Sequence, residues 1–429
     1  MDEIVLYKTV QTSYYLAAMV DSAAAGVKRK AVSALVAAET VSVLGTRMTY
    51  LALPWFVLVT TGSPGKMSLV LAAEIVPMAV LGIPSGTLVQ RLGARTTMLL
   101  ADAARAPLLA AIPVLHAAGL LSFPLLLGLV ALLGCFAPPY FASQRVILPE
   151  LVGEDERRMS QANSLIEGGS ALALLIGPAL AGLLIPFIGV ANVLYVDAAT
   201  FVVAFLLVLA FVPRRKPVDA TETGGVLDGV RFLLRDSLLG PIAAIVVALG
   251  FLGAGMSAGL PVYAFSEFDG SSRIAGLFYA ALGAGAVVGS VAAMVVVRKV
   301  APLRLAGASI LAFVVPIWVL PFMPPWPVVT VALFVGMFFT PLINGPFFAV
   351  LTARTPAALR PKMMTAVVSI NAFAAPLGFI VAGQVLENWS VQRLFMFVAV
   401  GMTLAAVSFA AVALRHGDAG AAAPASAPS

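Results

Sequence analysis

The chain has 429 residues, 61% of them hydrophobic and only 11% charged, where a soluble domain carries about 25% charged residues. Its net charge is +6, but the basic residues sit in short caps between apolar runs and not in one tail, which excludes a nucleic-acid-binding protein. The lone cysteine, Cys135, lies inside an apolar run; it excludes an intrachain disulfide and reads as a small buried hydrophobe.

Runs of about 20 apolar residues place the chain in a membrane. They are long and do not alternate, so they are helices and not barrel strands. Residues 1–31 are mixed and weakly polar and end in the basic cluster Lys28-Arg29-Lys30. They predict a cytoplasmic arm, irregular or interfacial, with Met19 as an alternative start. The first apolar run is too long for a signal peptide and lacks a cleavage pattern. Twelve spans follow, at 32–60, 67–90, 96–117, 120–143, 162–187, 191–212, 239–264, 273–297, 302–323, 326–351, 363–387 and 391–414. With the N-terminus inside, only Lys66, Arg273 and Arg393 fall in outside loops, and Arg47 and Arg105 lie within spans. The other 21 of the 26 Lys and Arg are cytoplasmic. That asymmetry puts both termini in the cytoplasm of a multi-pass protein of the cell membrane.

Between the sixth and seventh spans lies the longest internal polar segment, 213–238. It opens on Pro213-Arg214-Arg215-Lys216-Pro217, and its apolar residues over 226–235 favour one helical face. A short amphipathic helix on the inner surface is expected there. The tail 415–429 is rich in Ala, Pro and Ser and reads as disordered. The flanking segments, 32–212 and 239–414, look like a repeat. Pro54 and Pro261 are 207 residues apart, as are Gly82 and Gly289, Arg91 and Arg298, Pro139 and Pro346, and Pro149 and Pro356. Two parallel six-helix bundles with a site between them is a transporter layout.

Seven ionisable residues fall inside the spans: Glu39, Arg47, Glu74, Asp102, Arg105, Glu167 and Asp197. Each costs about 2.5–3.5 kcal/mol at mid-membrane, so each is expected to pair or to face a wet cavity. All seven lie in the first six spans. At about 1.5 Å per residue, Glu39, Asp102, Arg105 and Glu167 sit toward the cytoplasmic ends of their helices. Arg47, Glu74 and Asp197 sit nearer the outer side. Asp102 and Arg105 are three residues apart on one helical face and form a candidate pair. Arg47 has Glu74 or Asp197 as candidate partners. Glu39 and Glu167 are left without an obvious cation, which makes them, with Glu74, candidate proton carriers. The last six spans offer Tyr263, Tyr279, Trp318, Phe339, Asn344 and Asn371 as candidate cavity contacts. Such a wall suits a lipophilic, bulky ligand better than a sugar or a phosphate. No catalytic constellation or metal-ligand spacing is present, and Gly283-Ala284-Gly285 is not followed by a phosphate-loop lysine. The reading is a transporter and not an enzyme, with no cofactor and no metal.

Two stretches carry a family resemblance. The turn between spans two and three, Gly86 to Arg95, resembles the G-x-L-x-D-R-x-G-R-R loop of major facilitator superfamily transporters through Gly86, Leu88, Arg91, Gly93 and Arg95. Gln90 stands where the family has Asp, and Ala94 where it has Arg. Gln90 is expected to keep a neutral hydrogen bond at an inner gate. In span five, Ala173, Gly177, Pro178, Ala181 and Gly182 resemble the family's antiporter motif G-x-x-x-G-P-x-x-G-G. Small residues there let helices approach closely, and Pro178 bends the helix. Leu53-Pro54-Trp55, Leu148-Pro149-Glu150-Leu151-Val152 and Asp197-Ala198-Ala199-Thr200-Phe201 are similar to the drug:proton antiporter branch that includes macrolide-efflux and enterobactin-export proteins. The resemblance implies a monomer of the bacterial inner membrane that exports small lipophilic or amphipathic compounds against inward proton flow. A facilitator importer of the same fold, a lipid or lipid-precursor flippase and a non-transporting sensor or membrane enzyme are the competing readings.

Overall fold

The computed structural model describes residues 2–152, 156–214, 231, 236, 238–356 and 359–416. All regular structure among them is helical, as lipid demands of a spanning chain whose backbone has no water to bond. The helices are α1 (Asp2–Thr61), α2 (Pro64–Leu92), α3 (Ala94–Ala117), α4 (Phe123–Cys135), α5 (Ala137–Val152), α6 (Glu156–Ile188) and α7 (Val190–Phe211). Then come α8 (Leu239–Glu267), α9 (Ser272–Val296), α10 (Pro302–Ile317), α11 (Trp326–Phe338), α12 (Thr340–Arg354), α13 (Arg360–Asn388) and α14 (Val391–His416). They make twelve passes, because α4–α5 and α11–α12 are each one span in two pieces. The breaks at Phe136 and Phe339 fall just before Pro138-Pro139 and Pro341, which supply no N–H to the preceding turn.

The stretch before residue 32, expected as an irregular arm, is helical and continuous with α1. It holds no proline and a single glycine, Gly26, so nothing in it interrupts a helix. The short helix expected within 226–235 lies outside the described residues apart from Arg231, and so does the tail from residue 417.

Packing repeats with a period of six passes. In the first six, α1 lies against α6 and α7, α3 against α7, and α2 against α4 and α5. In the last six, α8 lies against α13 and α14, α10 against α14, and α9 against α11 and α12. The halves meet along α6–α9 and α2–α13, two contacts that the same repeat interchanges. These contacts use small residues. A Cβ on Gly182 would stand 2.6 Å from the Ser272 carbonyl oxygen, and one on Gly383 would stand 2.8 Å from the Ser68 Cβ. Trp55 meets Phe265 edge-on at 5.6 Å, and Tyr50 meets Tyr279 at 5.7 Å.

All these meetings lie between mid-membrane and the end opposite the basic loops. Toward the basic end the halves stand apart. A Cβ on Gly82, Gly86, Gly168 or Gly345 would touch nothing within 4 Å. A second apolar cluster there, with Leu35, Val89, Met98, Ile147 and Val208, belongs to the first half alone. The conformation is closed at the end opposite the termini and open at the basic end.

Closure is completed by a polar contact. The Glu387 carboxylate, at the end of α13, accepts hydrogen bonds from the Ser63 hydroxyl and the Gly65 N–H, both 2.8 Å, at the start of α2. A carboxylate at a helix N-terminus meets unpaired N–H groups and the positive end of the helix dipole. Glu387 is exposed, so the two bonds together contribute about 1–2 kcal/mol. Glu387→Ala is therefore expected to loosen this face about tenfold. With Cys135 replaced, a cysteine at buried Ser68 should react correspondingly faster with a membrane-impermeant thiol reagent applied from that face. An unchanged rate would show that the apolar contacts alone hold it shut.

Candidate functional site

The charges of the first half collect between α1, α3, α5 and α7. Glu39, Asp102, Arg105 and Asp197 are all buried, with exposures of 1%, 0%, 8% and 1%. Asp197 is held by hydroxyls: Thr49 donates to it at 2.5 Å and Thr200 at 3.0 Å. This grip needs α7 close to α1, and the residue of α1 at the contact is Gly45. Any Cβ there would run into the Asp197 carboxylate and the Thr200 side chain.

Glu39 accepts a hydrogen bond from the Gln144 amide of α5 at one oxygen, while its other oxygen has no partner. Asp102 has no hydrogen-bond partner at either oxygen. Its expected ion pair with Arg105 is not made. Instead Arg105 donates to the Thr46 hydroxyl at 3.3 Å and lies over the Phe201 ring at 4.0 Å, with Tyr140 at 5.7 Å. Two residues on one helical face can both point at neighbouring helices, and here α1 and α7 draw the guanidinium away. Its charge is still felt by Glu39, Glu74, Asp102 and Asp197 alike. The Arg105 Nε is also without a partner, and the Tyr140 hydroxyl lies on the side of Glu39 and Ser42.

Arg47 and Glu74 form the second, half-buried layer, nearer the closed end. Of the two candidate partners of Arg47, Glu74 is the one whose charge neighbours it; Asp197 is taken by the threonines. Gly177 of the antiporter-like motif packs on this layer, since a Cβ there would stand 2.5 Å from the Arg47 Cβ. Pro178 and Gly182 face α9 instead, through the approach of Gly276 to the Pro178 carbonyl and to Gly182.

Glu167 stands apart from both layers. It is exposed in a shallow surface depression that Met159, Ser160, Asn163 and Ser164 of the same helix also line. Residues 160, 163, 164 and 167 share one face of α6, so this helix presents a polar strip to the open side. Glu39 and Glu167, equivalent by depth, thus occupy different environments.

At the basic end, Gly93 joins α2 to α3 with φ at 82°, a conformation that suits glycine. Arg95 donates to the Val212 and Leu209 carbonyls at 2.6 and 2.9 Å, which caps the C-terminus of α7. Arg91 is exposed, Gly86 faces open space, and Gln90 is half-buried.

The candidate cavity contacts of the second half divide. Tyr263 is fully buried, donates to the Pro324 carbonyl and packs among Phe268, Phe278 and Phe395, so it belongs to the core and not to a cavity. Trp318 donates to Thr403 at 2.9 Å and ties α10 to α14. Tyr279 bonds the Ser257 carbonyl at 2.9 Å and meets Tyr50 at the junction of the halves. Phe339 packs on Phe338 at the α11–α12 break, and Asn344 is exposed. The Asn371 side chain lies outside the described residues. Among the described residues no group of three or more His, Cys, Asp or Glu is placed to hold a metal ion.

Sequence reading missed Gln144, Tyr140, Thr46, Thr49, Thr200 and Gly45. The available signal was a polar or glycine residue within a run chosen for apolarity, at the depth of a charge on another span.

A family model described as Major Facilitator Superfamily matches residues 35–357. The multidrug efflux pump Tap of Mycolicibacterium fortuitum is 27% identical over 375 residues, covering 85% of this chain and 91% of that one. The uncharacterized MFS-type transporter YfiS of Bacillus subtilis is 28% identical, covering 84% and 88%. Among solved structures, the nucleoside transporter NupG superposes with a TM-score of 0.72 at 15% identity, covering 89% and 98%. A bacterial homologue of the human lysosomal transporter Spinster, in an inward-facing and unoccupied conformation, superposes with a TM-score of 0.70 at 13% identity, covering 90% and 97%. At these identities the structures establish likeness of fold.

The α1–α7 contact gives a direct check. Gly45→Ala forces a methyl group into the Asp197–Thr200 side chains and is expected to destabilise the protein by about 1–3 kcal/mol. Thermal unfolding in detergent should show a lowered Tm; an unchanged Tm would mean that α7 does not approach α1 so closely.

Proposed function

This chain belongs to the Major Facilitator Superfamily, and from that premise we propose that it exports small lipophilic or amphipathic compounds in exchange for protons, by alternating access. The observation that carries the reading is the one-sided opening. The two six-helix units, 32–212 and 239–414, touch from mid-membrane to one face and part toward the other, which carries the basic loops. The basic loops orient that open side to the cytoplasm, so this is the conformation in which an exporter would load.

Likeness to the multidrug efflux pump Tap over most of both chains supports export, and so do Gly177, Pro178 and Gly182, which serve two helix contacts at once. Glu167 is exposed on the polar strip of α6, where it would meet a compound entering between the halves. Rocking about the α6–α9 and α2–α13 seams would close the basic end and open the other. The buried charges supply groups that hold protons within the membrane. The setting that follows is a bacterial inner membrane with both termini inside.

The test is accumulation of a panel of lipophilic antibiotics and dyes in a bacterial host lacking its own pumps. Cells expressing the protein should hold several-fold less of at least one compound, and an uncoupler should abolish the difference. Glu167→Gln should alter the profile across compounds, because the carboxylate is exposed on that strip. Higher accumulation in expressing cells would reverse the direction and make the protein an importer. No change for any compound would remove multidrug export as its function.

A further inference from the structure

We propose that the parted seam between α6 and α9 is a lateral portal to the inner leaflet, and that Glu167 at its inner lip receives the cationic head of an amphiphile entering along it. The inference rests on the exporter reading above and names the class of compound that loads, an apolar body with one cationic head.

The geometry starts from the contacts that do close. A Cβ on Gly283 of α9 would stand 2.8 Å from the Leu175 Cα of α6, and Gly276 meets Gly182 in the same way nearer the closed end. Residues three, four and seven apart share a helical face. The seam face of α6 therefore continues toward the basic end as Ala171, Gly168 and Ser164, and that of α9 as Val287, Ser290 and Met294. There the two faces part. A Cβ on Gly168 would touch nothing within 4 Å, Ser164 and Ser290 are exposed, and Met294 is 65% exposed. The result is a wedge, shut at Gly283 and widening toward the cytoplasm.

The surfaces of α6 on either side of this face are unlike. On one side Leu165 and Leu172 are exposed, in a stripe with Ile176 and Leu183 that suits lipid. On the other side lie Ser160, Asn163 and Glu167, all exposed. Gly169 and Gly177 turn to α1, against Thr40 and Arg47, so the polar strip lies between α1 and α9, on the side of the space between the halves. The order around the helix is lipid, wedge, polar strip, and the wedge joins the bilayer to the interior.

Charge then selects the occupant. Ser160, Asn163 and Ser164 supply hydroxyls and an amide, and Glu167 gives the strip its charge. Glu167 lies about 12 Å below Leu175 at 1.5 Å per residue, a short way inside the inner interface, where the head of an amphiphile sits. A carboxylate at that depth is costly without a counter-ion, and an entering ammonium supplies one. Across the wedge Val287 and Met294 offer apolar surface, and methionine adapts to varied shapes. The second seam lacks this chemistry. Beyond the Ser68–Gly383 contact the same face of α2 continues as Ala72, Val76, Ala79 and Gly82, with no polar side chain.

Photolabelling of the full-length protein in lipid nanodiscs tests this with no transport measured. The probes are dodecyltrimethylammonium and dodecyl sulfonate, each carrying a diazirine near the head. The ammonium should label 160–168 of α6 and 287–294 of α9 several-fold more than the sulfonate does. Glu167→Gln should erase that preference and Glu167→Lys should reverse it, which a merely structural glutamate would not do. Gly168→Trp should fill the wedge and reduce labelling of both segments with the carboxylate retained. Equal labelling by the two probes overturns the proposal, and so does labelling confined to the α2–α13 seam. Labelling of Asn163 without Met294 places entry through the aqueous mouth and overturns the portal. Uncoupler-sensitive export without charge-selective labelling leaves the exporter reading standing and removes this site. Charge-selective labelling of a protein that exports no compound does the reverse.

Discussion

One guanidinium in the membrane interior conditions the whole first half. Arg105 is nearly buried, touches α1 through Thr46 and α7 through Phe201, and acts at a distance on four carboxylates. A charge there is tolerable because aromatic faces and a hydroxyl replace part of its hydration. Its position dictates that α1, α3 and α7 pack tightly, and Gly45 is the concession in side-chain volume that lets them do so. The Thr49–Asp197–Thr200 contact is the second consequence. The carboxylate beside such a cation is held by hydroxyls, which fixes it to two helices at once.

The second half solves a different problem. It carries no charge at comparable depth and is assembled from aromatic and small residues. Tyr263 stacks among three phenylalanines, and glycines on α9 let α11 lie close. One half therefore holds the ionisable chemistry, while the other supplies a rigid apolar counterpart with a repeated packing plan. The seams between them combine close glycine contacts, two edge-on aromatic pairs and an apolar cluster shared by both halves with two polar contacts, Ser272 donating to the Gly182 carbonyl and Glu387 at the N-terminus of α2.

Span positions and the two-part repeat were legible because hydrophobic runs and basic caps are local signals, while the breaks within the fourth and tenth spans were not read from their prolines. The charged residues were also legible as a set, since a membrane tolerates few of them. Their partners were not. Spacing along a helix gives depth, but not which neighbouring helix a side chain faces. Asp102 and Arg105 therefore read as a pair and are not one, and Glu39 and Glu167 read as equivalents when one is enclosed and the other exposed. Tyr263 read as a cavity residue for the same reason. An aromatic in a span is polar at one end only, and the Pro324 carbonyl that satisfies it comes from a distant loop.

The arrangement makes α1 the element through which buried charge and the seams communicate. Along about three turns it places Glu39 against Gln144 of α5, Gly45 and Thr49 against Asp197 of α7, and Thr46 against Arg105 of α3. On the same helix Tyr50 and Trp55 meet Tyr279 and Phe265 of the other half. The backbone bonds of α1 are internal up to Tyr50, but Pro54 supplies no N–H to the Tyr50 carbonyl, so a tilt of α1 carries Tyr50 with it and can be taken up before Trp55. Glu39 and Tyr50 lie about 16 Å apart along this helix at 1.5 Å per residue, so the buried charges and the seal share one element.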